Sequence, residues 1–282
     1  VERVNSSKTW FITGASRGFG REWATAALER GDRVAATARD SSSLDNLVET
    51  FGDAILPIQL DVKDREADFA AVAKAHEHFG VLDVVVNNAG TWHVACIEEI
   101  SEDEARGQLE TNFFGPLWVT QAALPFLREQ GGGHIIQVSS LGGVSTFPLF
   151  SMYHASKWAL EGFSQALADE VAGFGIHVTI IEPGVFLTPG YEAPNPTSAP
   201  NPEYDKYREK AAKRRAANQA PLGDAKASAV ALLQVVDAQK PPLRVFFGTA
   251  PFNLVKSEYA ERLATWEKWN HISELAQGNA QG

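Results

Sequence analysis

The sequence predicts a doubly wound α/β domain, a parallel sheet covered on both faces by helices. Three observations carry this. Short apolar, β-branched runs alternate with helical stretches through most of the 282 residues, as in successive βαβ units. The first run, Trp10-Phe11-Ile12, feeds a glycine-rich turn, Thr13-Gly14-Ala15-Ser16-Arg17-Gly18-Phe19-Gly20, and then a helical segment. No internal repeat or long linker divides the chain, so residues 1–282 read as one domain.

Strand, glycine turn and helix in that order form a dinucleotide-binding unit. Gly14 permits the tight turn, Gly18 lets backbone approach a pyrophosphate, and Gly20 allows close packing of helix on strand. The helix, Arg21 to Arg30, offers unpaired N–H groups to phosphate at its start. The second strand, Arg33 to Ala38, ends at Arg39-Asp40. An acidic residue at this point would take the ribose hydroxyls of NAD. Here the first charge is Arg39, and Arg17 is a second cation in the turn, so a 2′-phosphate and NADP(H) are expected. Asp40 speaks for the other choice.

Ala54 to Leu60 reads as the third strand and ends in Asp61-Val62. A helix over Asp64 to Phe79 follows, with Asp64 as its cap. Leu82 to Val86 is a buried parallel strand ending in Asn87-Asn88-Ala89-Gly90. Ser101 and Glu104 form a capping box for a helix running to about Gln130, which Pro116 kinks or shifts. His134 to Val138 is a strand that delivers Ser139-Ser140. The next helix, Met152 to Phe174, carries Tyr153 and Lys157, four apart and so on one face. An ammonium beside a phenol favours the phenolate, and Tyr153 should titrate below its usual range. His177 to Ile181 is another strand, followed by Pro183-Gly184.

Composition then shifts. Pro189 to Pro202 cannot be a helix interior or a central strand. A basic helix over Tyr204 to Ala217 follows, with Glu209 and Lys213 spaced as an ion pair, and residues 189–221 read as a lid. Gly223 to Ala238 is a helix, Leu243 to Phe247 the last strand, and about 251–275 a C-terminal helical extension before a loose tail.

The bulk properties narrow the partners. With 44% hydrophobic residues a sizeable core is expected. A net charge of −10 argues against nucleic acid and anionic membrane. No apolar stretch has spanning length. The single cysteine, Cys96, rules out a disulfide within the chain and reads as a packing residue. A cytoplasmic protein without a metal is expected.

Together, Thr13-Gly14-x-x-x-Gly18-x-Gly20, Asn87-Asn88-Ala89-Gly90, Asn112, Ser140, Tyr153-x-x-x-Lys157 and Pro183-Gly184 resemble the classical short-chain dehydrogenases/reductases, over roughly residues 8 to 250. The likeness implies a single Rossmann domain with a seven-stranded parallel sheet in the order 3-2-1-4-5-6-7. It implies a tetrad of Asn112, Ser140, Tyr153 and Lys157. Ser140 would hold the substrate carbonyl oxygen, Tyr153 give it a proton, and Lys157 lower the Tyr153 pKa and hold the nicotinamide ribose. Asn112 would break its helix and hold a water. For the cofactor it implies Gly14, Ser16, Arg17, Gly18, Phe19, Gly20, Arg39, Asp61, Val62, Asn88, Ala89, Gly90, Tyr153, Lys157, Pro183, Gly184, Val185 and Thr188. Relatives often pair as homodimers or homotetramers. Length and the C-terminal extension loosely resemble the hydroxysteroid and retinol dehydrogenase branch.

The expected activity is NADP(H)-dependent interconversion of a ketone or aldehyde and an alcohol. The other reading is a non-catalytic NADP(H)-sensing protein on the same fold. Candidate substrate walls, beside Ser140 and Tyr153, are Trp92, Leu141, Phe147, Leu149, Phe150, Phe186 and Tyr191, which suit a bulky apolar carbonyl or alcohol. Trp92 either reshapes the pocket or packs under the lid. His93 is not needed by the tetrad.

Overall fold

Seven parallel strands line up as β3-β2-β1-β4-β5-β6-β9 in the computed structural model, which describes residues 7–193, 196–217 and 221–278. They are β1 (Thr9–Ile12), β2 (Arg33–Ala38), β3 (Ile55–Gln59), β4 (Val84–Asn87), β5 (Gly133–Val138), β6 (Ile176–Pro183) and β9 (Arg244–Phe247). This is the expected order; the last strand is ninth only because two short strands, β7 (Phe186–Leu187) and β8 (Gly223–Asp224), pair beside the sheet. The strands β1, β2, β4, β5 and β6 are continuously or mostly buried, which is why these runs are apolar with little alternation.

One face of the sheet is covered by α1 (Gly18–Glu29) and α9 (Ala225–Asp237), with Trp10, Trp23, Val34, Leu232 and Phe247 between them. The other is covered by α3 (Arg65–Phe79), α5 (Gly115–Glu129) and α6 (Ser151–Val171), over Phe11, Val85, Leu127, Ile135 and Leu167. A short helix, α2 (Asp45–Phe51), between β2 and β3 was not expected from the sequence. Asp64 caps α3, accepting from the Ala67 N–H at 3.0 Å. The long helix expected from Ser101 is two helices, α4 (Glu102–Leu109) and α5, joined by a π turn over Glu110–Phe114. Pro116 falls in the first turn of α5, where its missing N–H costs no helical bond.

The lid contributes α7 (Pro189–Glu192) and α8 (Asp205–Ala217); its residues 194–195 and 218–220 lie outside the described residues. Glu209 and Lys213 form no ion pair among the described residues; Arg208 pairs instead with Asp205 and Glu99. The extension forms α10 (Pro251–Lys268) and α11 (Asn270–Gln277), with Trp266 and Trp269 exposed. Helix α11 reaches into the stretch expected to be a loose tail. No helix among the described residues is long and apolar enough to cross a membrane.

One core group carries a penalty. Asp68 on α3 is fully buried, and neither carboxylate oxygen has a hydrogen-bond partner among the described residues. Burial first, then Asp64 and Asp61, push its pKa up to about 8. The folded pKa lies above the unfolded one. Stability is therefore fully present below about pH 4 and drawn down as the pH rises towards 8. Asp68→Asn should gain about 1–2 kcal/mol near neutral pH, the gain vanishing in acid; urea melts at both pH values measure it.

Candidate active site

The strand ends and helix starts meet at the carboxyl edge of β1, β4 and β5. There Thr13 Oγ1 accepts from the N–H groups of Asn88 and Ala89, each at 3.0 Å. Asn88 Nδ2 donates back to the carbonyls of Thr13 (2.9 Å) and Gly14 (3.1 Å). The glycine turn and the Asn-Asn-Ala-Gly turn are thus stapled together. Gly14 has φ +68°, a left-handed value that disfavours a side chain. No side chain caps the start of α1, so its first N–H groups stay open to an anion. A Cβ built on Gly18 would lie 3.7 Å from Thr188, which places Thr188 over the turn.

Ser16, Arg17 and Arg39 are exposed, and neither arginine has a hydrogen bond or ion pair among the described residues. Asp40 is already engaged: its Oδ1 accepts from the Ser42 N–H (3.0 Å) and hydroxyl (2.8 Å), capping a 3-10 turn. Phe19 is half-buried and stacks on Trp23. Val62 is buried, Asp61 half-buried, Gly90 exposed, Gly184 half-buried under Pro251 and Val185 exposed. These positions form one rim from β2 to β6.

Beside that rim stand Ser140, Tyr153 and Lys157. The Ser140 hydroxyl faces the Tyr153 phenol, where it favours the phenolate, and accepts from the Gly142 N–H at 2.9 Å. Lys157 is buried on the same face of α6; its Nζ donates to the Val138 carbonyl (2.8 Å) and lies 5.9 Å from the Tyr153 ring centre. A Cβ on Gly90 would be 3.6 Å from Asn112 Oδ1 and 3.7 Å from Lys157 Nζ, so the fourth expected residue is here as well. Asn112 sits in the π turn. Its amide donates to the Thr91 carbonyl (2.9 Å) and Ser156 Oγ (3.0 Å), and its Oδ1 accepts from the Thr91 N–H (2.9 Å).

The electrostatics differ from expectation. Burial pushes the Tyr153 phenol up, and the Ser140 hydroxyl only partly offsets this. Lys157 was expected to lower it. Instead burial depresses the Lys157 ammonium to about 8, opposed by Glu161. Desolvation wins because Lys157 is buried and the half-buried Tyr153 is closely packed at the sheet edge.

The family model for short chain dehydrogenase matches residues 8–198. The chain belongs to this family. It is 41% identical over 270 residues to Oxidoreductase BOA17 of Botryotinia fuckeliana (strain B05.10), spanning 95% of this chain and 98% of that one. A short-chain dehydrogenase from Streptomyces avermitilis superposes with TM-score 0.88 at 40% identity, over 96% of this chain and 99% of that structure. A short chain dehydrogenase from Burkholderia cenocepacia J2315 in complex with NADP shares the fold at 23% identity, with TM-score 0.74 over 93% and 97% of the two chains. The chain is thus a classical short-chain dehydrogenase/reductase, a family of NAD(P)-using oxidoreductases.

In this dehydrogenase the expected substrate walls divide. Phe147 and Phe150 are edge-on at 5.2 Å, and Phe150 lies 6.3 Å from the Tyr153 ring. Leu141 and Leu149 are half-buried in the same loop, and Leu149 holds φ +73°, a strained value for a leucine. Tyr191 is exposed on α7. Phe186 is a correction: it packs against Phe19 at 4.9 Å in the core over α1, so it is not a wall. Trp92 touches the lid, since a Cβ on Gly190 would be 3.1 Å from its ring.

Two histidines matter more than the sequence suggested. His154 Nδ1 meets the Gly142 carbonyl at 2.8 Å and its Nε2 accepts from the Phe147 N–H at 3.0 Å, a pattern that the Nδ1–H tautomer satisfies. It fixes the loop carrying Ser140 and the aromatic wall. His93 Nε2 meets Ser198 Oγ at 2.8 Å, and Ser198 donates to Glu104 at 2.9 Å. Together with Glu99, which accepts from the Asn201 N–H (2.8 Å) and pairs with Arg208, this clasps the lid to the body. Only the capping spacing of Glu104 was visible beforehand.

Proposed function

We propose that the chain is an NADP(H)-dependent carbonyl reductase acting on a bulky apolar ketone or aldehyde, steroid-like or aryl. The observation that carries this is the meeting of the Ser140 hydroxyl and the Tyr153 phenol beside the buried Lys157. The cofactor cradle fits: an uncapped helix start, and Gly14 and Gly18 both at left-handed φ. Bound there, NADPH supplies the hydride. The Ser140 hydroxyl donates to the carbonyl oxygen and orients it. Tyr153 gives that oxygen a proton, and its raised pKa keeps the proton available at neutral pH. The Lys157 ammonium stabilises the phenolate left behind. Phe147 and Phe150 offer an apolar wall to the substrate body.

The two exposed arginines favour NADP(H) over NAD(H), with Asp40 engaged by Ser42. Arg39→Asp should weaken NADPH binding about 100-fold and NADH binding little. Fluorescence titration with both nucleotides checks it, and equal losses would sink the assignment. The activity itself is tested by following NADPH absorbance with steroids, aryl ketones and small ketoesters. Tight NADPH binding without turnover of any carbonyl would leave a nucleotide-sensing protein.

A further inference from the structure

Behind the site lies a second cluster that the tetrad does not use. Glu161 follows Lys157 by one helical turn on α6, and both are buried. Glu182, at the end of β6 just before Pro183, is buried against it. Arg244 of β9 reaches in from the surface, its Nε 3.0 Å from Glu161 Oε2 and 3.5 Å from Glu182 Oε1. Its guanidinium also donates to Gln165 Oε1 at 2.9 Å. The Ser139 hydroxyl, at the end of β5, faces the Glu161 carboxylate.

Three buried atoms here have no hydrogen-bond partner among the described residues, Ser139 Oγ, Glu161 Oε1 and Glu182 Oε1, although the last lies 3.5 Å from Arg244 Nε. They face one another. One proton held between the two carboxyls, with the Ser139 hydroxyl donating to Glu161, satisfies all three at once. It also removes the repulsion of two buried like charges, leaving one net negative charge for Arg244 and Lys157 to share. Burial, and then the neighbouring Glu161, push Glu182 up to about 8, which marks it as the proton's holder near neutral pH. Burial pushes Glu161 up as well, while the Ser139 hydroxyl, Arg244 and Lys157 pull it back towards its ionised form.

We propose that Glu161 is a positioning residue for Lys157: braced by Arg244, Ser139 and a proton shared with Glu182, its carboxylate lies one turn along α6 and keeps the neighbouring ammonium charged. This rests on the reading of Tyr153 and Lys157 as the catalytic pair. Without the carboxylate, no charge among the described groups facing Lys157 offsets its desolvation, and only its hydrogen bond to the neutral Val138 carbonyl still favours the ammonium. The ammonium would be lost at lower pH, and with it the charge that stabilises the Tyr153 phenolate. Glu161 touches neither substrate nor cofactor in this scheme, and it exchanges no proton with them.

The test reads Lys157 directly. Isotope-labelled lysine NMR, with the resonance assigned by its loss in Lys157→Met, should give a midpoint near 8 in the unaltered protein. Glu161→Gln should lower it by about one pH unit, and Glu161→Asp should restore part of the shift. The alkaline limb of kcat for carbonyl reduction should move down by the same amount. An effect through packing alone would lower kcat at every pH and leave both midpoints in place, and that result overturns the proposal. Should Glu161→Gln not fold, Arg244→Met supplies the second variant, since losing the guanidinium lets Glu161 hold a proton and shifts Lys157 in the same direction. Turnover surviving in Tyr153→Phe would overturn the catalytic reading instead, whatever the lysine titration shows.

Discussion

Tyr153→Phe should lower kcat for carbonyl reduction by about 100- to 10,000-fold, the range a positioned general acid contributes, with NADPH affinity almost unchanged. The substitution removes one oxygen and keeps the ring. The ring's neighbours, Phe150 at 6.3 Å and the backbone at Gly142, are apolar or indifferent to the hydroxyl, so packing survives. Ser140 keeps its own hydrogen bond from the Gly142 N–H and can still hold a carbonyl. What is lost is the proton. The structure adds a pH dependence to this expectation. A phenol raised by burial is a good donor through neutral pH and a poor base, so reduction should hold steady until Lys157 loses its charge near pH 8, while alcohol oxidation should gain as the pH rises. Stopped-flow and steady-state rates in both directions test this. A Phe variant with more than a tenth of the original kcat would take Tyr153 out of the chemistry.

The sheet was legible because buried parallel strands are written as plain apolar runs. Trp10–Ile12, Leu82–Val86 and His134–Val138 could scarcely be anything else, and each ends in residues that form the rim. The helix α2 was not legible, since Ser41-Ser42-Ser43 reads as loop and only the Asp40 cap turns it into a 3-10 start. Pro116 signalled a disturbance, but its place in the first turn of α5 depends on the π turn before it. Phe186 looked like a wall because it follows Pro183-Gly184, yet the small β7–β8 ladder turns it onto Phe19. The lid clasp joins residues about a hundred apart, Glu99 with Arg208 and His93 with Ser198, and no local pattern reveals such pairs. Burial of Asp68, Glu161 and Glu182 was likewise invisible. A carboxylate on a helix or at a strand end is read as solvated unless the fold is known, and for the same want of burial the sequence misjudged the pKa of Tyr153: it showed the neighbouring charge but not the desolvation.

Gly20→Ala should cost about 1–3 kcal/mol of stability and at least about 100-fold in NADPH affinity, although one methyl group is the whole change. A Cβ at residue 20 would lie 2.5 Å from the Gly14 carbonyl oxygen and 2.5 Å from Asn88 Nδ2. The first is backbone in the glycine turn that would cradle a pyrophosphate on the proposed reading. The second is the end of a side chain, but one held by two hydrogen bonds, to the Thr13 and Gly14 carbonyls. Relief therefore means lifting α1 off β1 or unfastening Asn88, and either displaces the N–H groups that would face a phosphate. The contrast is Gly107 in α4, where an added Cβ meets nothing within 4 Å. Gly107→Ala should gain about 0.5–1 kcal/mol through helix propensity and leave nucleotide binding alone. Thermal melts with and without NADPH separate the two effects. The ligand-induced rise in Tm should persist in Gly107→Ala and collapse in Gly20→Ala. A Gly20→Ala protein that melts and binds like the parent would mean that the turn adapts, and the cradle would then owe its shape to Asn88 rather than to the close approach at Gly20.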